Sequence, residues 1–227
     1  MHIFHQLPTD NITSILESGP SQTSISIIKD NFPNLNHYSG IDSNSDSIKN
    51  AKQSANKRGV NFDFHESSVE DFHAGEQYDL ALDVYSATHY GYPEKFNQVL
   101  VSHLKEGGIF ASMPGGMSFP TKPEYHPARV WLTYDSSTGE IIADGFDDHN
   151  DTFRYINGLM RLKQDEPIKT ARDLKDYIRQ AQDMLGKDSI DMHDLFSLGI
   201  ALFHKKSGLS EVNVIPSGEG DIIIGRK

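Results

Sequence analysis

Apolar positions along the first half of the chain switch repeatedly between a short continuous run and a helical spacing. Residues 12–16 (ITSIL) predict a buried strand, and Ile25, Ile28 and Phe32 then recur at helical spacing up to the break at Pro33. Residues 37–42 (HYSGID) predict a second strand. The stretch SNSDSIKNAKQSANKRG puts Ile48, Ala51 and Ala55 on one helix face, with Ser43 and Ser45 offering caps and Gly59 the stop. Residues 60–66 alternate as a third strand, and 78–86 (YDLALDVYS) form a fourth. Pro93 opens a helix carrying Phe96, Val99, Leu100 and Leu104; KEGG ends it, and residues 108–114 (GIFASMP) are a fifth strand. Strands alternating with helices predict a parallel sheet wound by right-handed crossovers.

The rhythm changes after Met117. Residues 129–146 predict a hairpin, with DSSTG as the turn between two β-rich apolar runs. An amphipathic helix follows, capped by Thr170, with Leu174, Tyr177, Ile178, Ala181 and Leu185 on one face and Gly186 as its stop. Another helix spans about 192–206, and LSEVNVIPSGEGDIIIGRK closes the chain as two apolar strands at a sheet edge. The expected fold is α/β: a doubly wound, mostly parallel sheet with an antiparallel C-terminal strand, plus an α+β insertion forming a lid. Residues 1–117 are expected to form the cofactor-binding half, 118–190 the insertion, and 191–227 the closing helix and strands of the same domain.

Charge narrows the chemistry. Acids outnumber bases 32 to 21 for a formal charge of -11, which argues against a nucleic-acid partner, because phosphate backbones are bound by clustered Lys and Arg. The absence of cysteine removes disulfides, thiolate metal sites and cysteine nucleophiles. Eleven histidines invite a metal reading, but none forms H-x-x-x-H or H-E-x-x-H on a plausible helix, so no metal is expected. The start MHIFHQLPTDN has neither a basic leader nor a long apolar run, so the expectation is a soluble cytoplasmic protein without a membrane span.

Taken together, the five strands, the acid ending the second of them, LKEGGIFASMP leading into the fifth, and the closing hairpin resemble the class I S-adenosylmethionine-dependent methyltransferases. The resemblance covers residues 12–116 and, more loosely, 192–227. In that family the first strand ends in an acid followed by a glycine-rich loop. Here ESGPSQT aligns Glu17 with the acid and Gly19 with the first glycine, while Ser21 and Thr23 stand where further glycines are usual. Glycines allow positive φ and close backbone approach to a ligand; Ser21 adds a hydroxyl that either crowds the cofactor's methionine end or donates to it. Asp42, 23 residues after Gly19, has the separation at which an acid accepts ribose hydroxyls, with Ser43 beside it; the other reading of Asp42 is a helix N-cap. After the third strand the family carries an acid toward adenine and then a backbone donor, which places Ser68 and Val69 in those positions.

The resemblance also implies that DLALDVYSATHYGYPEKF lines the pocket beneath the sulfonium, with Asp83, Tyr85, His89 and Tyr90, and that S-adenosylmethionine is the cofactor. His89 is the candidate base, since methyl transfer needs alignment, water exclusion and a modest proton acceptor; its other reading is a loop tether. About ten residues precede the first strand, so the insertion is expected to replace an N-terminal cap, with Tyr125 and His126 touching substrate and Tyr85 and His126 assisting catalysis. The expected activity is O- or N-methylation of a small-molecule acceptor, with a homodimer compatible. The alternatives are a degenerate domain acting as a non-catalytic binding or regulatory partner, and a non-methylating reaction on S-adenosylmethionine.

Overall fold

In the computed structural model, which describes residues 2–84, 93–113, 131–135, 140–144, 171–188, 190–215 and 221–227, every residue of the first strand, β1 (Ser14–Ser18), is buried. A strand covered on both faces sends apolar side chains to both: Ile15 enters one core and Leu16 the other, each fully buried. Burial of each such side chain stabilises the fold by about 1.5–3 kcal/mol. The chain then forms α1 (Gln22–Asn31), β2 (His37–Asp42), α2 (Ser45–Lys57), β3 (Asp63–Glu66) and β4 (Tyr78–Val84). After α3 (Pro93–Ser102) and β5 (Leu104–Met113) come β6 (Trp131–Asp135), β7 (Glu140–Asp144), α4 (Ala171–Leu185), β8 (Ile190–Asp191), α5 (Met192–Lys206), β9 (Ser210–Ile215) and β10 (Ile222–Arg226).

The main sheet runs β3-β2-β1-β4-β5-β10-β9. Strands β1 to β5 pair in parallel, while β10 is antiparallel both to β5 and to β9. The antiparallel ending is therefore a strand pair, with the last strand tucked inside and β9 at the edge. Helices α3 and α5 contribute Phe96, Leu100, Ala201 and Phe203 to one core with Leu16 and Phe110; the other core gathers Phe4, Ile12, Ile28 and Phe32 beside Ile15 and Leu80. A second sheet, β7-β6-β8, holds the expected hairpin, with Trp131 paired to Asp144 and, through an unforeseen third strand, to Asp191. Helix α4 is not confined to that segment: it packs on α5, and its Met184 and Leu185 reach the main core. Among the described residues no helix is long and apolar enough to cross a membrane.

Several local expectations shift for identifiable reasons. The first strand lies two residues further along than 12–16, because Ile12 packs into the core beneath the preceding 3-10 turns. The third strand is shortened to Asp63–Glu66, and Val60 and Phe62 instead pack by α2 against Ile25 and Ala55. KEGG is not a loop outside the sheet. Leu104 already pairs with Tyr78, and the Gly107 N–H and the Gly108 carbonyl bond to Lys227 at 3.0 and 2.9 Å, so this stretch is an irregular part of β5. The cap of α2 is neither Ser43 nor Ser45: the Asn44 side chain accepts from the N–H groups of Asp46 and Ser47 at 2.9 and 3.3 Å.

Candidate functional site

Parallel open sheets bind ligands beyond the carboxyl ends of their strands, where the crossovers diverge, and here that place is the exit of β1 toward α1 between β2 and β4. Gly19 makes the exit. Its φ is +69°, a left-handed conformation that a side chain resists, and its N–H donates to the Ile41 carbonyl at 2.8 Å. Pro20 then lies on β2 so closely that a Cβ at Gly40 would stand 3.0 Å from its ring and from Phe64. Both glycines are thus set by geometry, one by φ and one by approach.

The two serines that replace expected polar or glycine positions are held by the backbone. Ser21 is the N-cap of α1: its hydroxyl accepts from the Ser24 N–H at 3.0 Å, and Ser24 Oγ accepts from the Ser21 N–H at 2.9 Å. Exchange of a capping serine for alanine costs about 1 kcal/mol, which gives this serine a folding role of its own. Thr23 sits exposed in the first turn of the same helix. Ser68 caps a 3-10 turn, Val69–Asp71, accepting from the Asp71 N–H at 3.2 Å and donating to its carboxylate at 2.8 Å, while the Val69 side chain is buried in the core. A carboxylate, Asp71, therefore stands directly beside the serine in the adenine-side position.

Asp42 ends β2 and is half-buried; its Oδ1 accepts from the Asn44 N–H at 2.8 Å, and Ser43 is exposed in the same turn. Because Asn44 caps α2, the capping reading of Asp42 is removed. Glu17 differs from every other acid described. It is 0% exposed, with Oε2 accepting from the Tyr38 hydroxyl at 2.5 Å and Oε1 without a partner among the described residues. Burial pushes its carboxyl up to about 7, against the pull of Tyr38 and of the nearby Ser24 hydroxyl and with a further push from the negative charge of Asp83. The Ser24 hydroxyl is itself donated to the Ser21 carbonyl at 3.0 Å, so it acts on Glu17 chiefly as a neighbouring dipole.

One row of residues crosses the carboxyl edge: Ser18 pairs with Asp83, and Asp83 with Ser112. All three are buried. Ser112 Oγ lies 3.1 Å from Nε2 of His204, which is stacked on Phe110 at 4.4 Å and neutral, its imidazole pushed down to about 3 by burial. Tyr38, Ser112 and His204 escaped the sequence reading. His204 alone left a trace, as the one ionisable residue in the mostly apolar run LFSLGIALFH. Tyr85, His89, Tyr90, Tyr125 and His126 lie outside the described residues. A groove of about 520 Å³ opens elsewhere, between His37, Asp63, Glu76 and Tyr78. Its lining also takes in Glu66, Ser67 and Asp71, at and past the end of β3, so it runs along the β3 edge of the sheet from the amino end toward the carboxyl end.

The strand order, the left-handed glycine between β1 and α1 and the acids near the ends of β1 and β2 define the class I methyltransferase fold. Residues 16–122 match a family model described as a methyltransferase domain. A search of curated proteins by sequence finds no match. Among solved structures, the S-adenosylmethionine-dependent methyltransferase SibL in its apo form is 11% identical with a TM-score of 0.55, over 99% of this chain and 53% of that one. An O-methyltransferase family protein from Burkholderia thailandensis is likewise 11% identical with a TM-score of 0.55, over 99% and 54%. PigF, solved with S-adenosylhomocysteine, is 12% identical with a TM-score of 0.53, over 99% and 53%. These likenesses speak for the fold, and the chain spans about half the length of each of these three proteins.

Proposed function

We propose that this domain binds S-adenosylmethionine at the carboxyl edge of β1, β2 and β4 and directs its methyl group to an oxygen or nitrogen of a small-molecule acceptor. The observation that carries the reading is Glu17. A carboxyl wholly removed from water, with one oxygen unpartnered and no cation acting on it among the described residues, is unfavourable to folding when charged and is relieved by a ligand that brings an ammonium group. S-adenosylmethionine fits that donor set through its α-ammonium at Glu17, its ribose hydroxyls at Asp42, with Ser43 beside them, and its adenine near Ser68, Val69 and the adjoining Asp71. The Gly19 turn admits its chain, and Asp83 lies in the floor. When bound, the group supplies an electrophilic methyl carbon on a sulfonium. The solved neighbour holding S-adenosylhomocysteine supports the same ligand class. With Ser21 spent on the cap of α1, its part in the site is through its backbone rather than its hydroxyl.

Calorimetric titration with S-adenosylmethionine and S-adenosylhomocysteine tests this. Asp42→Ala should weaken both by ~1–3 kcal/mol, the worth of a charged acceptor for two hydroxyls. A folded protein that takes up neither ligand at millimolar concentration rejects the proposal. The loop serines favour a second reading, a cofactor-binding partner without catalysis, which predicts binding but no methyl transfer to any acceptor screened.

Proton removal from the acceptor is assigned to His89, with Tyr85 and His126 in support and Tyr90 and Tyr125 against the substrate. In this reading residues 118–190 act as the lid, so acceptor selectivity and cofactor affinity separate. Tyr125→Ala or His126→Ala should cut turnover or acceptor affinity ~10-fold while leaving cofactor binding within about threefold. Variants that keep full activity, or lose both functions together, refute the lid.

A further inference from the structure

Glu17 meets a different group on each element that packs on it. From β2 comes the Tyr38 hydroxyl at 2.5 Å, from α1 the Ser24 hydroxyl, and from β4 the carboxylate of Asp83. None of these is a cation. Tyr38 is held protonated, its phenol raised well above the ordinary value by burial and then by Glu17 itself. It therefore acts as a donor and leaves Glu17 no proton acceptor within the cluster. Asp83 carries the same sign as an ionised Glu17 and opposes it. A buried carboxyl in such company avoids an uncompensated charge by keeping its proton.

We propose that Glu17 is a neutral acid in the unliganded protein and gives up its proton to solvent when a ligand brings an ammonium group against it. The proposal rests on the S-adenosylmethionine reading and goes beyond it, because it makes recognition of the ligand's amino-acid end a proton exchange. The balance is simple. A neutral carboxylic acid and an ammonium become a carboxylate paired with that ammonium, and one proton leaves to the buffer. Oε2 keeps the Tyr38 hydrogen bond throughout, and Oε1, unpartnered now, gains a donor. The pair that forms is neutral overall, so no isolated charge is buried at any stage. A nucleoside lacking the amino-acid end occupies the Asp42 side alone and exchanges nothing. The site thereby distinguishes adenosine compounds that carry an ammonium group from those that lack one increasingly well as pH rises toward about 7, since less work is then needed to remove the proton.

The test is calorimetry in buffers of differing ionisation enthalpy, which counts protons released per ligand bound. At about pH 6, S-adenosylhomocysteine should release close to one proton, and at about pH 8.5 nearly none. At about pH 6, 5′-methylthioadenosine and the Glu17→Gln variant titrated with S-adenosylhomocysteine should release none. Binding of S-adenosylhomocysteine at the lower pH without release, or equal release from the variant, overturns the proposal. The infrared difference between parent and variant, free of ligand, reads the carboxylic acid directly. An ionised Glu17 at about pH 6 refutes the proposal whatever binds, while a protonated one with no ligand taken up upholds the neutral acid and removes the ligand reading instead.

Discussion

Glu17→Gln is expected to make the unliganded protein more stable at about pH 8, and about 1 kcal/mol less stable at about pH 4. The sign follows from the direction of the shift. Burial pushes the folded-state carboxyl up from its ordinary value of 4.5 to about 7. Below the ordinary value both states are protonated and the residue costs the fold nothing. As pH rises from there the unfolded chain ionises and the folded one does not, so stability drains away until about pH 7 and is level above it, a loss of roughly 3 kcal/mol. Glutamine removes that pH dependence. It still accepts from Tyr38, but its amide N–H₂ stands without an acceptor where Oε1 was, which takes back about 1 kcal/mol. The net gain at about pH 8 is therefore about 2 kcal/mol, read from urea unfolding at the two pH values. The same variant should bind S-adenosylhomocysteine at least ~10-fold more weakly, since a neutral amide replaces the partner of an ammonium. A variant less stable than the parent at about pH 8 makes Glu17 a structural anchor for Tyr38, and its place in the site is lost.

What the chain's pattern disclosed, and what it concealed, divides along physical lines. The winding of β1 to β5 was readable because each buried strand is an apolar run bounded by turn residues, and the crossover helices carry their own periodicity in Ile48, Ala51 and Ala55. Gly19 and Asp42 were readable because a left-handed turn and a strand-ending acid are local features. The site's electrostatics were not. Glu17 draws its character from Tyr38, 21 residues away on a neighbouring strand, and from Asp83 across another, so nothing near residue 17 announces a carboxyl held neutral. Ser21 shows the reverse difficulty: read against a glycine pattern it is a loss, and only the reciprocal hydrogen bonds with Ser24 show that it caps α1. His204 is fixed by Ser112, 92 positions earlier, and no local spacing encodes that pair.

Asp79→Ala should be the most destabilising change to any acid of the sheet, by about 2–4 kcal/mol at neutral pH, with the loss shrinking as pH falls below about 4. Asp79 stands at the amino edge of β4, where β1 and β4 begin. Its Oδ2 accepts from the N–H groups of Thr13 and Ser14, both at 2.9 Å, and from their hydroxyls at 2.7 and 3.0 Å. Its Oδ1 accepts from Lys105 at 2.7 Å. Burial pushes this carboxyl up as well, but the hydrogen bonds from Lys105, Thr13 and Ser14 outweigh it and hold the group well below the ordinary carboxylate range. The backbone donors decide the magnitude: the Lys105 side chain is 44% exposed, and so half-solvated an ion pair is worth under about 1 kcal/mol, whereas a buried N–H left without an acceptor costs about 1–3 kcal/mol. Lys105→Met should accordingly cost far less than Asp79→Ala. Because the folded-state carboxyl is depressed, its charge-linked contribution is complete above the unfolded value near 4 and is lost progressively as pH falls from there toward the folded value, so the gap between variant and parent should narrow in acid. Parallel urea titrations from about pH 3 to 8 measure this, and equal stability of the two proteins at neutral pH rejects the assignment. The contrast with Glu17 is chemical. Two carboxyls stand on adjacent strands of one sheet, and the one at the amino edge is given five donors by the chain and stabilises it when charged. The one at the carboxyl edge is given a single strong donor and destabilises the fold when its proton is removed. A fold that satisfies an acid so fully at one end, and leaves an oxygen of another without a donor among the described residues at the opposite end, separates the carboxyl that holds the sheet together from the one proposed to meet a ligand.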